Sequence, residues 1–180
     1  MQREIDGGQP AGHIIIEIAK QPLIVAVKLD GQGQELAAET AFAQLDVLSP
    51  GRAVAFAILF AHPPAQFAQY QAGVLAAVPV ARQTRYYLDL AATDIQGEVV
   101  GADSYRVSGR LLNRGASDVE RVRLLVTGYD ERRRVTAVRQ ASLTVSVLRA
   151  AATTPFDVEL TMVGSPVVTY SVQAQALAVQ

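Results

Sequence analysis

Val54 to Phe60 reads VAFAILF, and Phe156 to Thr161 reads FDVELT. In the first stretch Val54, Phe56, Ile58 and Phe60 alternate with Ala55, Ala57 and Leu59. In the second, Phe156, Val158 and Leu160 alternate with Asp157, Glu159 and Thr161. A period of two belongs to a β-strand, whose successive side chains point to opposite faces. Each phenylalanine row is therefore expected to face a core, and a slip of one residue would expose it.

The two stretches stand at an offset of one hundred, and the correspondence extends outward without a gap: Asp30 answers Asp130, Leu48 answers Leu148 and Tyr70 answers Tyr170. Self-similarity at a fixed period marks a duplicated structural unit. Tyr70, Ala72, Val74 and Ala76 match Tyr170, Val172, Ala174 and Ala176, so each copy is expected to end in a strand. Glu35 to Leu45, ELAAETAFAQL, is rich in good helix formers. Its counterpart Val135 to Val147, VTAVRQASLTVSV, is β-branched and keeps one parity, so a strand is expected in both places.

The turns agree with antiparallel pairing. Asp30-Gly31-Gln32-Gly33 supplies glycine where a tight hairpin needs positive φ. Ser49-Pro50-Gly51 is a second turn signal, and Asn113-Arg114-Gly115 joins the strand Arg106 to Leu112 to the next, Val119 to Tyr129. Short strands at about ten-residue spacing favour a sandwich over a βαβ fold. The sequence thus predicts an all-β chain of two tandem antiparallel β-sandwich domains, residues 1–82 and 83–180. The second opens with Tyr86 to Ala92 and Val99 to Leu112, whereas the first reaches Asp30 after only thirty residues and lacks its N-terminal strand. The expectation is that Met1 is not the natural start and that this strand lies upstream, with room for an export signal before it.

Val126 to Asp130 reads VTGYD, preceded by VSGRLLNRG and followed by VTAVRQASLTVSVL, PFDVEL and YSVQAQA. This resembles the FxLYD type of bacterial extracytoplasmic β-sandwich domain over about Tyr86 to Val179. Val126 stands where that motif has phenylalanine and Gly128 where it has leucine, leaving Tyr129 and Asp130; the first copy, AVKLD, keeps only Asp30. The resemblance implies immunoglobulin-like sandwiches in a secreted, lipid-anchored or membrane-tethered setting; the partner expected there is another protein or a cell-surface component. It offers no catalytic residues, and one fold serves many functions.

Composition narrows the function classes. Half the residues are hydrophobic and 18% are charged, enough for packed cores and too apolar for disorder. A net charge of −1 and a pI near 6.1 give no field to gather nucleic acid. The absence of cysteine removes disulfides, thiolate metal sites and cysteine nucleophiles. No run of eighteen apolar residues suits a membrane helix, and the opening MQREIDGGQPAGH has no signal-peptide pattern. Two lysines against fourteen arginines, with abundant alanine, fit a GC-rich genome better than a function.

Few residues invite a chemical role. His13 and His62 are the only histidines, with no carboxylate at ligand spacing; His13 is expected to precede a strand and His62 to begin the HPP turn. No G-x-S-x-G, P-loop or HExxH pattern occurs. No catalytic, metal or cofactor residue is assigned, and no enzyme is expected. Asp30 and Asp130 look like paired carboxylates, but a strand-end aspartate more readily accepts hydrogen bonds from turn amides. Tyr86 and Tyr87 have opposite parities, so one is expected inward and one at the junction between copies.

Arginine has some edge. If Val107, Leu111, Val122, Leu124 and Val126 face the core, Arg106, Arg110, Arg121 and Arg123 face solvent side by side across a sheet, and Arg132 to Arg134 crowd the following turn. That makes a candidate surface for anions, acidic glycans or a partner. A solvated face balanced by neighbouring acids is preferred, because the net charge from Gln83 onward is only +1. The reading that follows is a non-catalytic structural or protein-interaction module of an exported or surface-tethered bacterial protein, with glycan or anion binding as the alternative. The absence of tryptophan weakens a sugar-stacking platform.

Overall fold

The computed structural model describes residues 11–15, 19–48, 52–79 and 85–179. Among them every regular element is a strand. No helix among the described residues is long and apolar enough to cross a membrane. The chain divides into two compact units, Met1–Val80 and Ala81–Gln180.

The first unit contains β1 (Ala11–Ile15), β2 (Ala19–Leu29), β3 (Glu35–Phe42), β4 (Val47–Leu48), β5 (Ala53–Ala57) and β6 (Gln69–Pro79). β2 is central to one sheet, paired with β3, β4 and β6, while β1 and β5 form a separate two-stranded sheet. The second unit contains β7 (Tyr86–Tyr87), β8 (Leu90–Val99), β9 (Ser104–Asn113), β10 (Val119–Tyr129), β11 (Val135–Ser142), β12 (Val147–Leu148), β13 (Thr153–Thr161) and β14 (Thr169–Ala178). There β10 takes the part of β2, paired with β11, β12 and β14, and β14 also pairs with β7. The other sheet runs β13-β9-β8. All pairs are antiparallel.

The strand pairings of the two units agree in register. Leu23 pairs with Phe42 and Arg123 with Ser142; Ala19 pairs with Leu48 and Val119 with Leu148; Lys28 pairs with Tyr70 and Gly128 with Tyr170. The ladders also break at the same places, between Lys28 and Leu29 and between Gly128 and Tyr129. In the second sheet Phe56 pairs with Gly12 and Phe156 with Gly109, so β1 stands to β5 as β9 stands to β13.

Both phenylalanine rows point inward as their period requires. Phe56 is 1% exposed and Phe156 5%, while Asp157, Glu159 and Thr161 face out. Ile24, Ala26, Phe56, Ile58 and Phe60 form the core of the first unit. In the second, Val122, Leu124 and Val126 of β10 meet Phe156, Val158 and Leu160 of β13 together with Val107 and Leu111 of β9 and Leu90 of β8. Burial of this kind contributes roughly 25 cal/mol per Å² of apolar surface.

Four expectations are corrected. The segment 135–147 is not one strand: β11 stops at Ser142 and β12 resumes at Val147, opposite a bulge in β10 between Glu120 and Arg123 where Arg121 adopts φ 51°. An extra residue in a central strand displaces the neighbouring ladder. The first unit repeats this break, with Ala43 N–H donating to the Pro22 carbonyl as Leu143 N–H does to Val122. Ala76 does not correspond to Ala176, because β6 carries one extra residue: Val74 pairs with Ile24, Ala76 with Leu23, and Leu75 lies at the shift between them. His13 lies within β1 rather than before a strand. The turn at Asn113 crosses from one sheet to the other, because β9 and β10 are not partners.

Candidate functional site

The four strand arginines do not share a sheet. Arg106 and Arg110 lie on β9, in the sheet with β13 and β8, whereas Arg121 and Arg123 lie on β10, in the sheet with β11 and β14. Val107, Leu111, Val122, Leu124 and Val126 are buried between the two sheets. Residues that face away from one core on two different sheets point in opposite directions. The side-by-side surface expected of Arg106, Arg110, Arg121 and Arg123 is therefore not formed. Nor is Arg106 idle, with Nη1 at 3.7 Å from Glu98, opposite it on β8, and Nε at 3.5 Å from Asp157, diagonally across on β13. Nη2 of Arg110 donates to Thr153 Oγ1 at 2.5 Å.

The two aspartates hold turns. Asp30 Oδ1 accepts the amides of Gln32 at 2.9 Å and Gln34 at 2.8 Å. Asp130 Oδ1 accepts those of Arg132 at 2.9 Å and Arg134 at 2.8 Å. In each hairpin the backbone closes identically, Asp30 with Gln34 and Gly33, Asp130 with Arg134 and Arg133. The second turn adds a charge pair: Nε and Nη2 of Arg134 lie 2.8 and 2.7 Å from Oδ2 of Asp130. Burial of the Asp130 carboxyl works against ionisation, but the Arg134 amide, the Arg134 guanidinium and the Arg132 amide outweigh it and hold the group below the usual carboxylate range.

Three further features were not legible as such. Asn113 is fully buried, and its Nδ2 lies 2.8 Å from the Ser117 carbonyl and 3.2 Å from those of Leu148 and Arg149, while its Oδ1 accepts from Gly115 N–H. Here the turn asparagine ties the sheet-to-sheet crossing to the β12 loop. Lys28 is buried with Nζ 4.7 Å from the ring centre of Phe60 and 4.2 Å from that of Phe67, so the two rings face its charge. At the matched place in the second unit Gly128 packs under Val167. Tyr105 and Tyr170 meet with ring centres 6.1 Å apart, and burial followed by the neighbouring Tyr170 pushes the Tyr105 hydroxyl pKa upward.

His62 is exposed in a bend. Tyr86 and Tyr87 both lie on β7, half-buried, with Tyr87 packed against the second core. Among the described residues no three histidines, aspartates or glutamates are grouped so as to hold a metal ion.

No family model matches the chain, and no curated protein matches it. Among solved structures it is similar to the β-glucuronidase of Bacteroides uniformis, at 14% identity and a TM-score of 0.33, over 91% of this chain and 23% of that one. A β-glucuronidase from glycoside hydrolase family 2 gives 9% identity and a TM-score of 0.31, over 87% of this chain and 20% of that one. The chain thus spans about a quarter or less of the length of these enzymes.

Proposed function

We propose that this chain is a non-catalytic pair of immunoglobulin-like β-sandwich domains serving as a structural or protein-interaction module of an exported or surface-tethered bacterial protein. The observation that carries this reading is the shared role of Asp30 and Asp130. The two residues most like a chemical pair are each engaged in the same hairpin turn, one in each unit. A carboxylate that already accepts two or more turn hydrogen bonds is poorly placed to act as a base. The strand pairing repeated around β2 and β10 supports tandem domains, and the resemblance of residues 86–179 to FxLYD-type domains supports the extracytoplasmic setting.

Two measurements test it. Fractionation of the source cells, with detection of this chain by antibody, is expected to find it outside the cytoplasm; a purely cytoplasmic pool would overturn the location. Purified chain is expected to be inert toward a panel of aryl glycosides and esters. Turnover that survives both Asp30→Asn and Asp130→Asn but is lost in His62→Ala would overturn the non-catalytic reading.

A further inference from the structure

The sheets built around β2 and β10 present different outer faces. On β2, Ile24 and Ala26 enter the core, so Leu23, Val25 and Val27 point the other way. Residues opposite one another in an antiparallel ladder share a face. The outer face therefore also holds Phe42, Thr40 and Ala38 of β3, and Ala76, Gly73 and Gln71 of β6. None of these residues is charged.

In the second unit the same places are polar. Arg123 stands for Leu23, Ser142 for Phe42, Gln140 for Thr40 and Gln173 for Gly73. Leu125 and Thr127, in the middle of that face, are fully buried, whereas Val25 and Val27 are only half-buried.

The face of the first unit has relief as well as open apolar surface. Phe42 is 62% exposed at the Leu23 end. On β6 the inserted Leu75, next to Ala76, is 59% exposed, and Val78, which shares a face with Ala76, is 61%. The middle and the far end are low: a Cβ on Gly73 would meet nothing within 4 Å, and Ala38 is exposed and small. Large apolar side chains exposed in one patch mark a contact site.

Raised at one end and hollow at the other, such a face fits a copy of itself. A two-fold axis between two copies, running across the strands at Val25, lays the Leu23 end of one on the Val27 end of the other. It brings Phe42 of each copy over Ala38 of the other copy, a large side chain on a small one. Two-fold contacts are the commonest between identical chains, and sheets stack face to face about 10 Å apart. Three strands ~4.8 Å apart, over about eight residues at ~3.3 Å each, offer a face of roughly 25 by 14 Å. Two such faces bury on the order of 1,000 Å² of accessible surface, which is the lower bound for a specific interface and suits a weak, reversible pair. The lack of charge also removes the like-charge repulsion that symmetry would impose near the axis.

We propose that this chain pairs with a second copy through the outer face of the sheet formed by β3, β2 and β6. This gives the interaction role proposed above a surface and a partner, and rests on it.

The test uses the full 180-residue chain. Sedimentation velocity from about 1 µM to about 500 µM is expected to show a reversible shift from monomer to dimer. Phe42→Ser and Leu75→Ser each change an exposed side chain, so melting of the monomer is expected to match the parent while pairing weakens at least tenfold. Leu59→Ser removes an exposed leucine outside this sheet and is expected to change neither. The chain has no cysteine, so Thr40→Cys puts a single thiol near the axis. A short bis-maleimide is expected to join Thr40→Cys chains as dimers and to leave Leu59→Cys chains single. A chain that stays monomeric at the highest concentration, a dimer that withstands both Phe42→Ser and Leu75→Ser, or equal cross-linking of Leu59→Cys would overturn the proposal. Any of these would leave the location and the lack of turnover, measured separately, as they stand.

Discussion

Gly109 lies opposite Phe156 across the β9–β13 ladder, and a Cβ on it would stand 2.9 Å from the ring's Cζ and 2.9 Å from the carbonyl oxygen of Thr93. The ring therefore needs a neighbour without a side chain. Gly109→Ala is expected to cost about 1–3 kcal/mol through overpacking, since one of the two blocking groups is backbone. Phe156→Ala is expected to cost about 3–5 kcal/mol from the other direction, by leaving a void. Five of the six tyrosines fall after residue 81, so tyrosine fluorescence during urea unfolding follows mainly the second unit. A Gly109→Ala midpoint unchanged from the parent would mean that β9 and β13 do not approach as described.

The matched hairpins give a comparison that uses the protein as its own control. The fourth turn residue has positive φ in both, 81° at Gly33 and 60° at Arg133. Glycine tolerates that region, whereas a side chain there crowds the following carbonyl, at roughly 1–2 kcal/mol. Arg133→Gly is expected to stabilise the second unit by up to about 1 kcal/mol, reduced somewhat by the greater freedom glycine gives the unfolded chain. Gly33→Ala is expected to destabilise the first unit by about 1 kcal/mol. Thermal melts of the two variants should move in opposite directions, and a shared direction would refute the equivalence of the turns.

These cases show what the sequence carries and what it does not. Parity along a strand depends only on the strand's own residues, so the inward rows of Phe56 and Phe156 and the turn roles of Asp30 and Asp130 were legible. Sheet membership depends on which distant segment a strand pairs with, and no local pattern encodes it. Arg110 and Arg121 lie on consecutive strands and read as neighbours, yet the chain crosses between sheets at Asn113. The inserted Leu75 and the bulge at Arg121 were hidden for a related reason. Alternation survives on either side of a bulge, and only the pairing shows that the count has slipped.

Asp130 also makes stability depend on pH. Its carboxyl is held below the usual carboxylate range in the folded chain, while in the unfolded chain it titrates near about 4. The unfolded state therefore binds the proton first. The contribution is fully present above the unfolded value and is lost as pH falls through the folded one. Between about pH 5 and pH 2, the Asp130→Asn chain should lose stability less steeply than the parent. Parallel curves would show that the Arg134 pairing contributes nothing to folding.

Asn113 should matter more than its place in a turn suggests. Replacing it by alanine removes the amide that serves the carbonyls of Ser117, Leu148 and Arg149, and no solvent reaches its site. A buried group left without its partner costs about 1–3 kcal/mol. Asn113→Ala is therefore expected to cost about 2–4 kcal/mol, and Asn113→Asp, which keeps the shape but offers no N–H when ionised, at least as much. If Asn113→Asp melted with the parent at pH 7, the contacts would be incidental.

Tyr87 supplies the opposite case, a buried polar atom whose loss should be harmless. Its ring packs against the second core, but its hydroxyl is buried without a hydrogen-bond partner, close enough to Gly115 that a Cβ there would collide with it. An unsatisfied buried hydroxyl gives up its hydrogen bonds to water on folding and regains none, a cost of about 1–3 kcal/mol. Tyr87→Phe keeps the ring and removes the penalty, so it is expected to leave the second unit unchanged or to stabilise it by about 1 kcal/mol. Tyr87→Ala, which empties the position, is expected to cost about 3 kcal/mol or more. The pair separates packing from polarity: a Tyr87→Phe variant that unfolded as readily as Tyr87→Ala would mean that the hydroxyl, not the ring, holds β7 against β14.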